Sequence, residues 1–337
     1  MTAGLPEMRP DIFTILQFLR AGSRPKRVAA TTTSHPRTFV SAIFLSLTLL
    51  GILSLWSGTS CADSSSLTAV SGFADAAGLP GELGAIVYQK NPERPLQVYI
   101  IGNSHRSSAS GENGSHTVAA QVQTYRIAEW LIRQHQVELL LPEGFFGRKE
   151  RTGLLNATVR LDGPTLEKTL TDTSTFINAD LLLHRNYDIG LQQVEDRDLY
   201  RNAREYLLSG LKSGDSLGAA FGLELEYLQE RRSAAILQKI PAIINDEYRL
   251  GHIAQPRAIL TIGMVHLDEI IKFLDMGRIE ISAPQIGANG FQTYSETLEL
   301  LAQQVGVTVI VPRAILDDRD MMYLAKLEPE AETTATP

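Results

Sequence analysis

AILTIGMVHL, residues 258–267, sets an apolar five-residue run against a glycine and, three places further on, a histidine. The run Ala258 to Ile262 is too short for a helix and interrupted only by Thr261. It reads as a strand buried on both faces, as in a parallel sheet covered by helices on each side. Four other runs repeat the pattern: Leu96 to Ile101 (LQVYII), Val137 to Leu141 (VELLL), Ile189 to Val194 (IGLQQV) and Val307 to Val311 (VTVIV). Between them, Val118 to His135 carries Val118, Val122, Tyr125 and Ile132 at near-helical spacing. Leu217 to Ile244 does the same through Leu223, Tyr227, Ile236 and Ile240. Shorter helices are expected at Asp268 to Leu274 and at Ser295 to Gln304, with Ser295 as a cap. Pro241 is expected to kink or split the long helix. Thr152 to Arg185 reads as helices and loops over the sheet. Strands alternating with helices predict an α/β fold: one domain with a central, mostly parallel or mixed sheet flanked by helices.

Outward from that core, the N-terminus reads as an export signal. Arg20, Arg24, Lys26, Arg27 and Arg37 precede an uncharged stretch from Phe39 to Trp56, followed by a cluster of small residues. Cleavage after Ala62, lipidation at Cys61 and retention of the stretch as a membrane anchor are the three outcomes open to it; Gly58 disfavours lipidation. Cys61 is the only cysteine of the 337 residues, so cleavage after Ala62 leaves a chain that needs no disulfide in an oxidising compartment. The segmentation is then a leader and signal (or anchor) over 1–62, a linker over 63–78, an α/β domain over 79–327 and an acidic, Thr/Ala/Pro-rich disordered tail over 328–337. Six of the 31 Lys/Arg and two of the 38 Asp/Glu fall in residues 1–62, so the remainder carries 25 against 36, a formal charge of −11. That balance argues against a nucleic-acid partner, which needs a basic face. Contact with a membrane is expected only through the N-terminal segment, if it is not cleaved.

Ligands of open α/β sheets sit at the carboxyl ends of the strands. Here those ends are polar: Gly102-Asn103-Ser104-His105, Pro142-Glu143-Gly144, Glu195-Asp196-Arg197-Asp198 and Gly263-Met264-Val265-His266. Two imidazoles, His105 and His266, with the carboxylate Glu143 match a two-His, one-carboxylate site for a divalent metal ion with positions left for water or substrate. Glycine ahead of each His suits a sharp turn or a close approach to a ligand. Each residue also has a plainer reading. A strand-end His can simply bond to backbone, Pro142 and Gly144 suit an ordinary turn around Glu143, and residues 195–198 suit a solvated helix start with acids near its positive end. Glu195 is the best functional candidate in that last group. His116, His135, His184 and His252 lack a strand-end context and read as surface or structural residues. Ser107 to Ser115 (SSASGENGS) reads as a mobile lid or a connector.

These residues resemble the TraB/PrgY/Tiki (GumN-like) family, more distantly the erythromycin-esterase-like and ChaN-like proteins. The resemblance covers residues 79–313. It rests on the two Gly-x-x-His motifs, on Glu143 between them, and on Arg232-Ser-Ala-Ala-Ile-Leu-Gln-Lys-Ile240, with Arg231 as the register alternative. The family helix usually carries Asn or Asp directly after its Arg, where Ser233 stands here. The resemblance implies a duplicated α/β core in which each half supplies one His motif, and a site containing Arg232. For the Tiki branch it implies metal-dependent peptide cleavage by the two His and the Glu. Other branches inhibit pheromones, hydrolyse esters without metal, or handle haem or iron, so fold is implied more firmly than function.

The leading expectation is an exported, periplasmic or secreted metal-dependent hydrolase acting on peptides or another small-molecule substrate. His105, His266 and Glu143 would hold an ion of the manganese, cobalt or zinc class, with Glu143 as ligand or general base. Arg232 would steady an anionic intermediate or a substrate carboxylate, and Glu195 would assist. The alternatives are a non-catalytic protein that sequesters a peptide, haem or metal, and a metal-independent esterase-like hydrolase.

Overall fold

The computed structural model describes residues 78–104, 115–152, 161–171, 178–213, 219–287, 290–299, 304–318 and 322. The expected export signal and linker, His105 with nearly all of the loop after it, and the tail lie outside the described residues. Among the described residues, no helix is long and apolar enough to cross a membrane.

The fold is α/β, with a seven-stranded mixed sheet at its centre. In chain order the elements are β1 (Gly84–Lys90), β2 (Gln97–Asn103), α1 (Ser115–His135), β3 (Leu139–Pro142), β4 (Arg148–Lys149), α2 (Gly163–Thr171), α3 (Ala179–Tyr187), β5 (Gly190–Gln192), α4 (Arg197–Ser213), α5 (Ala219–Arg249), β6 (Arg257–Gly263), a 3-10 turn at Met264–His266, α6 (Leu267–Met276), β7 (Arg278–Gly287), β8 (Gly290–Glu299), β9 (Gly306–Pro312) and α7 (Arg313–Leu316). The sheet order is β1-β9-β2-β6-β3-β5-β4. The inner five strands run parallel, and β1 and β4 close the edges antiparallel.

Alternation along each inner strand divides the core between two faces. Val98, Ile100, Leu139, Leu141, Leu260 and Ile262 pack with α5, α6 and β7 on one side. Tyr99, Ile101, Leu140, Ile259 and Ile310 pack with α1, α2 and α3 on the other. The chain steps from β2 to β3 to β5 across the second face and returns from β5 to β6 to β9 across the first. All four crossovers therefore share one hand, as sheet twist requires. This winding interleaves β6 between β2 and β3, which brings distant parts of the sequence to neighbouring strand ends.

All five expected strands are present, and β2, β3, β6 and β9 are almost wholly buried, as their apolar runs predict. Helices α2 and α3 occupy the segment read as helices and loops. Asn178 caps α3, its Oδ1 accepting from Leu181 N at 3.0 Å. Helix α5 is not split at Pro241, and its apolar face is held against the sheet by Ile236, Leu237, Ile240 and Ile244. One expectation fails. Ser295 does not open a helix: it lies within β8, which pairs with β7 in a separate hairpin through ten matched positions. The overlooked pattern is period two in β7, where Ile279 and Ile281 enter the core and Glu280 between them does not.

Candidate functional site

Four adjacent parallel strands, β2, β6, β3 and β5, deliver the singled-out residues to one edge of the sheet. Asn103 pairs with Gly263 and Pro142 with Thr261, so both Gly-x-x-His motifs and the Glu143 turn leave the sheet almost level with one another. His105 lies two residues past Asn103, outside the described residues. Gly102 is glycine because the motifs touch. A Cβ there would stand 2.5 Å from Met264 Sδ and 2.6 Å from Leu267 Cδ1. It lets the turn after β6 and the start of α6 pack directly against the end of β2. Gly102→Ala should destabilise the fold by about 1–3 kcal/mol through overpacking, read by urea unfolding.

Glu143 stands in a turn closed by Phe145 N–H to Pro142 O at 3.3 Å, with Gly144 at φ +71°. The turn expected from Pro142 and Gly144 is present, and it aims the Glu143 carboxylate inward. Glu143 Oε2 accepts from Gly263 N–H at 2.6 Å, and Oε1 accepts from Arg232 Nη2 at 2.7 Å. His266 Nε2 lies 3.4 Å from the same Oε1.

Arg232 reaches this point from the middle of α5, and it is only 5% exposed. Nε donates to Glu195 Oε1 at 2.6 Å and Nη1 to Gln229 Oε1 at 2.6 Å, while the guanidinium lies 5.1 Å from the centre of the Tyr200 ring. Burial disfavours its charge, but Glu143 and Glu195 outweigh that and hold it protonated more firmly than an ordinary arginine. Glu195 is itself 1% exposed, and its Oε2 accepts from Gly144 N–H at 2.8 Å. It braces both Arg232 and the Glu143 turn. The plainer reading of the group suits Asp196, which caps α4 by accepting from the N–H groups of Asp198 and Leu199.

His266 closes the 3-10 turn after β6 and is 1% exposed. Its Nδ1 lies 2.8 Å from Ser233 Oγ, which donates to Glu269 Oε2 at 2.6 Å. Burial works against a charged ring, yet Glu143 and, after it, Glu269 outweigh burial and push its pKa up to about 9. Arg232 and Ser233 are adjacent on α5 and so serve neighbouring parts of one cluster.

Sequence reasoning missed Glu269, Gln229 and Tyr200. Glu269 had a signal: it follows His266 by three residues, on the same side of the helix start. It also missed the support under the first motif, where Asn103 Oδ1 accepts from Gln121 Nε2 at 3.1 Å and Thr124 Oγ1 at 3.3 Å. His135, His184 and His252 sit away from the cluster. His184 Nδ1 bonds to Ile189 O at 2.7 Å and His252 pairs with Glu247 at 3.0 Å.

Among the described residues, no group of three or more His, Cys, Asp or Glu is placed to hold a metal ion. The expected set requires His105, which lies outside them. The two donors that are described do suit one ion. His266 Nε2 and Glu143 Oε1 stand 3.4 Å apart, and two ligand atoms about 2.0–2.1 Å from a tetrahedral zinc lie about 3.3 Å apart. Glu143 and Glu195 meet the Arg232 guanidinium, while Glu269 lies on the His266 side of the cluster, behind Ser233. A cavity of about 380 Å³ lies instead at the opposite end of the sheet, lined by Glu138, Arg148, Arg151, Gln192 and His252, and its two arginines are in ion pairs. That cavity holds none of Glu143, Glu195, Arg232 and His266. No protein family, no curated protein and no solved structure matches the chain.

Proposed function

We propose that the Glu143–His266 cluster is the active site of a metal-dependent hydrolase of the TraB/PrgY/Tiki type, acting on peptides outside the cytoplasm. The observation that carries the reading is the 3.4 Å approach of His266 Nε2 to Glu143 Oε1, at the ends of neighbouring parallel strands and beside the end of the strand that leads to His105. His105, His266 and Glu143 would hold the divalent ion. It would supply Lewis acidity toward a peptide carbonyl and make water nucleophilic near neutral pH. β2 and β6, each ending in a Gly-x-x-His motif, would be equivalent strands of a duplicated core within one domain.

The rest of the work falls to the chain. Gly263 N–H and Arg232 fix both oxygens of Glu143, so the carboxylate enters any reaction already oriented. Arg232 is engaged by three side chains. It is therefore better suited to holding Glu143 than to gripping a substrate carboxylate, and Glu195 supports it from below. A second reading, a non-catalytic protein that sequesters a peptide, haem or metal, is favoured by the same engagement of both Glu143 oxygens.

The deciding experiment is the metal content of protein spanning residues 63–337, purified without chelator, beside His105→Ala and His266→Ala. Near-stoichiometric divalent metal, lost by both variants while they stay folded, is the expected result. No metal in wild type, even after reconstitution with manganese, cobalt or zinc, would remove the metallohydrolase. A peptide-cleavage assay of the metal-loaded protein separates the two readings: a hydrolase cleaves, and Glu143→Gln should lower that cleavage by roughly 10²-fold or more, with metal content measured alongside because Glu143 is also placed among the ligands. A binding protein would show no cleavage to lose.

A further inference from the structure

The residue that departs from the family pattern, Ser233, makes the contacts that decide how His266 is used. A serine hydroxyl carries one hydrogen and two lone pairs. Three polar atoms lie within hydrogen-bond distance of Ser233 Oγ: Gln229 O at 3.1 Å, Glu269 Oε2 at 2.6 Å and His266 Nδ1 at 2.8 Å. The carbonyl and the carboxylate can only accept. The single hydrogen goes to the closer and charged acceptor, Glu269, because a bond to an ionised oxygen is roughly twice as strong as a neutral one. A lone pair of Oγ then faces Nδ1, and a bond at 2.8 Å between them exists only if Nδ1 brings its own hydrogen.

Glu269 does not reach the ring directly. Its Oε2 is 3.7 Å from Nδ1, beyond hydrogen-bond range, so the serine is the link. The link is rigid. Ser233 is 0% and His266 1% exposed, and the three residues come from α5, the turn after β6 and the first turn of α6, packed together in one core.

We infer that Ser233 and Glu269 are positioning residues that keep a hydrogen on His266 Nδ1 and leave Nε2 as the unprotonated ring atom of the neutral ring, on the Glu143 side. The inference rests on the proposed role of His266 for what Nε2 then does, but not for the tautomer itself. A metal-ligating histidine needs this arrangement, with one nitrogen anchored through a hydrogen bond to an acceptor and the other unprotonated. Here the anchor is a serine backed by a carboxylate rather than a carboxylate alone.

The test uses the full chain with ¹⁵N-labelled histidine, free of metal, at alkaline pH where the ring is neutral. His266→Gln identifies the resonances. Wild type should show a pyrrole-type Nδ1 and a pyridine-type Nε2. Ser233→Ala should give a mixture of tautomers, and Ser233→Thr, which keeps the hydroxyl, should restore the wild-type pattern. Glu269→Gln serves as the second disrupting variant if Ser233→Ala does not fold. With Zn²⁺ as probe, Ser233→Ala should bind roughly 10- to 100-fold more weakly than wild type, and Ser233→Thr near wild type. A wild-type ring protonated at Nε2 would overturn the inference, as would a folded Ser233→Ala with unchanged tautomer and unchanged zinc affinity. A wild type with hydrogen on Nδ1 that binds no zinc upholds the relay and removes the metal reading instead.

Discussion

Arg232→Met should destabilise the protein by about 3–5 kcal/mol, the loss typical of removing one partner from a buried ion pair. The side chains of Glu143 and Glu195 are only 11% and 1% exposed, and both meet the guanidinium. Methionine fills similar volume without charge, so the loss reports on the stranded carboxylates rather than on a cavity. Arg232→Lys should fall between, since an ammonium keeps the charge but cannot reach Glu143, Glu195 and Gln229 from one planar fork. The pairing makes a second demand. Glu195→Gln in the Arg232→Met background should recover part of the loss, because one of the two stranded charges is then gone. Urea unfolding of the four proteins, with a common slope as the check on two-state behaviour, gives the comparison. A loss in Arg232→Met below about 1 kcal/mol, as for an exposed pair, would mean that water reaches the cluster and that Glu143 is not held as described.

The same cluster marks how far the sequence carried the argument. The parallel core was legible because burial on both faces imposes uninterrupted apolar runs, and Leu139–Pro142 or Gly306–Pro312 has no other reading. The edges were not. β1 is only half buried along most of its length and β4 has two exposed residues, so neither leaves a hydrophobic pattern to detect. The β7–β8 hairpin was hidden for a different reason: Ser295 suits a helix cap, and its place within β8 is set by pairing with β7 rather than by a local pattern.

For the site, strand-end position was enough to bring out Glu143, Glu195 and His266. Arg232 was reached only through the resemblance, because its place depends on which way one turn of a 31-residue helix faces. The level exit of β2 and β6 depends on strand order. No local pattern announces that β6, late in the chain, inserts between β2 and β3. The roles of Ser233 and Glu269 were hidden for a related reason: the spacing of Glu269 from His266 and the place of Ser233 after Arg232 can be read, but neither residue type is unusual in a helix. Their meaning lies in the hydrogen each must give or accept once α5 and α6 are packed together.

In metal-free protein, His266 should make stability fall as pH rises. Burial alone would strip the ring of its proton, but the Glu143 carboxylate at 3.4 Å, with Glu269 behind Ser233, reverses that and holds the pKa at about 9. An unfolded chain returns the ring to about 6.5. Because the folded value is the higher one, the proton's contribution is fully present below about pH 6.5 and is lost as pH climbs through about 9, the folded state releasing its proton last. A difference of two to three units corresponds to about 3 kcal/mol as an order of magnitude. His266→Gln lacks this proton, so the stability of wild type relative to the variant should shrink between about pH 6 and pH 10, measured by urea unfolding in the presence of chelator. Groups common to both proteins drop out of the comparison. Saturating Zn²⁺ should reverse the slope, since a metal held at Nε2 displaces the proton and binds better as proton competition fades. A pH-independent difference between wild type and His266→Gln would show that Glu143 is committed wholly to Arg232 and Gly263, with no field left over for the ring. A proton would then gain nothing from the cluster, and a metal ion little more.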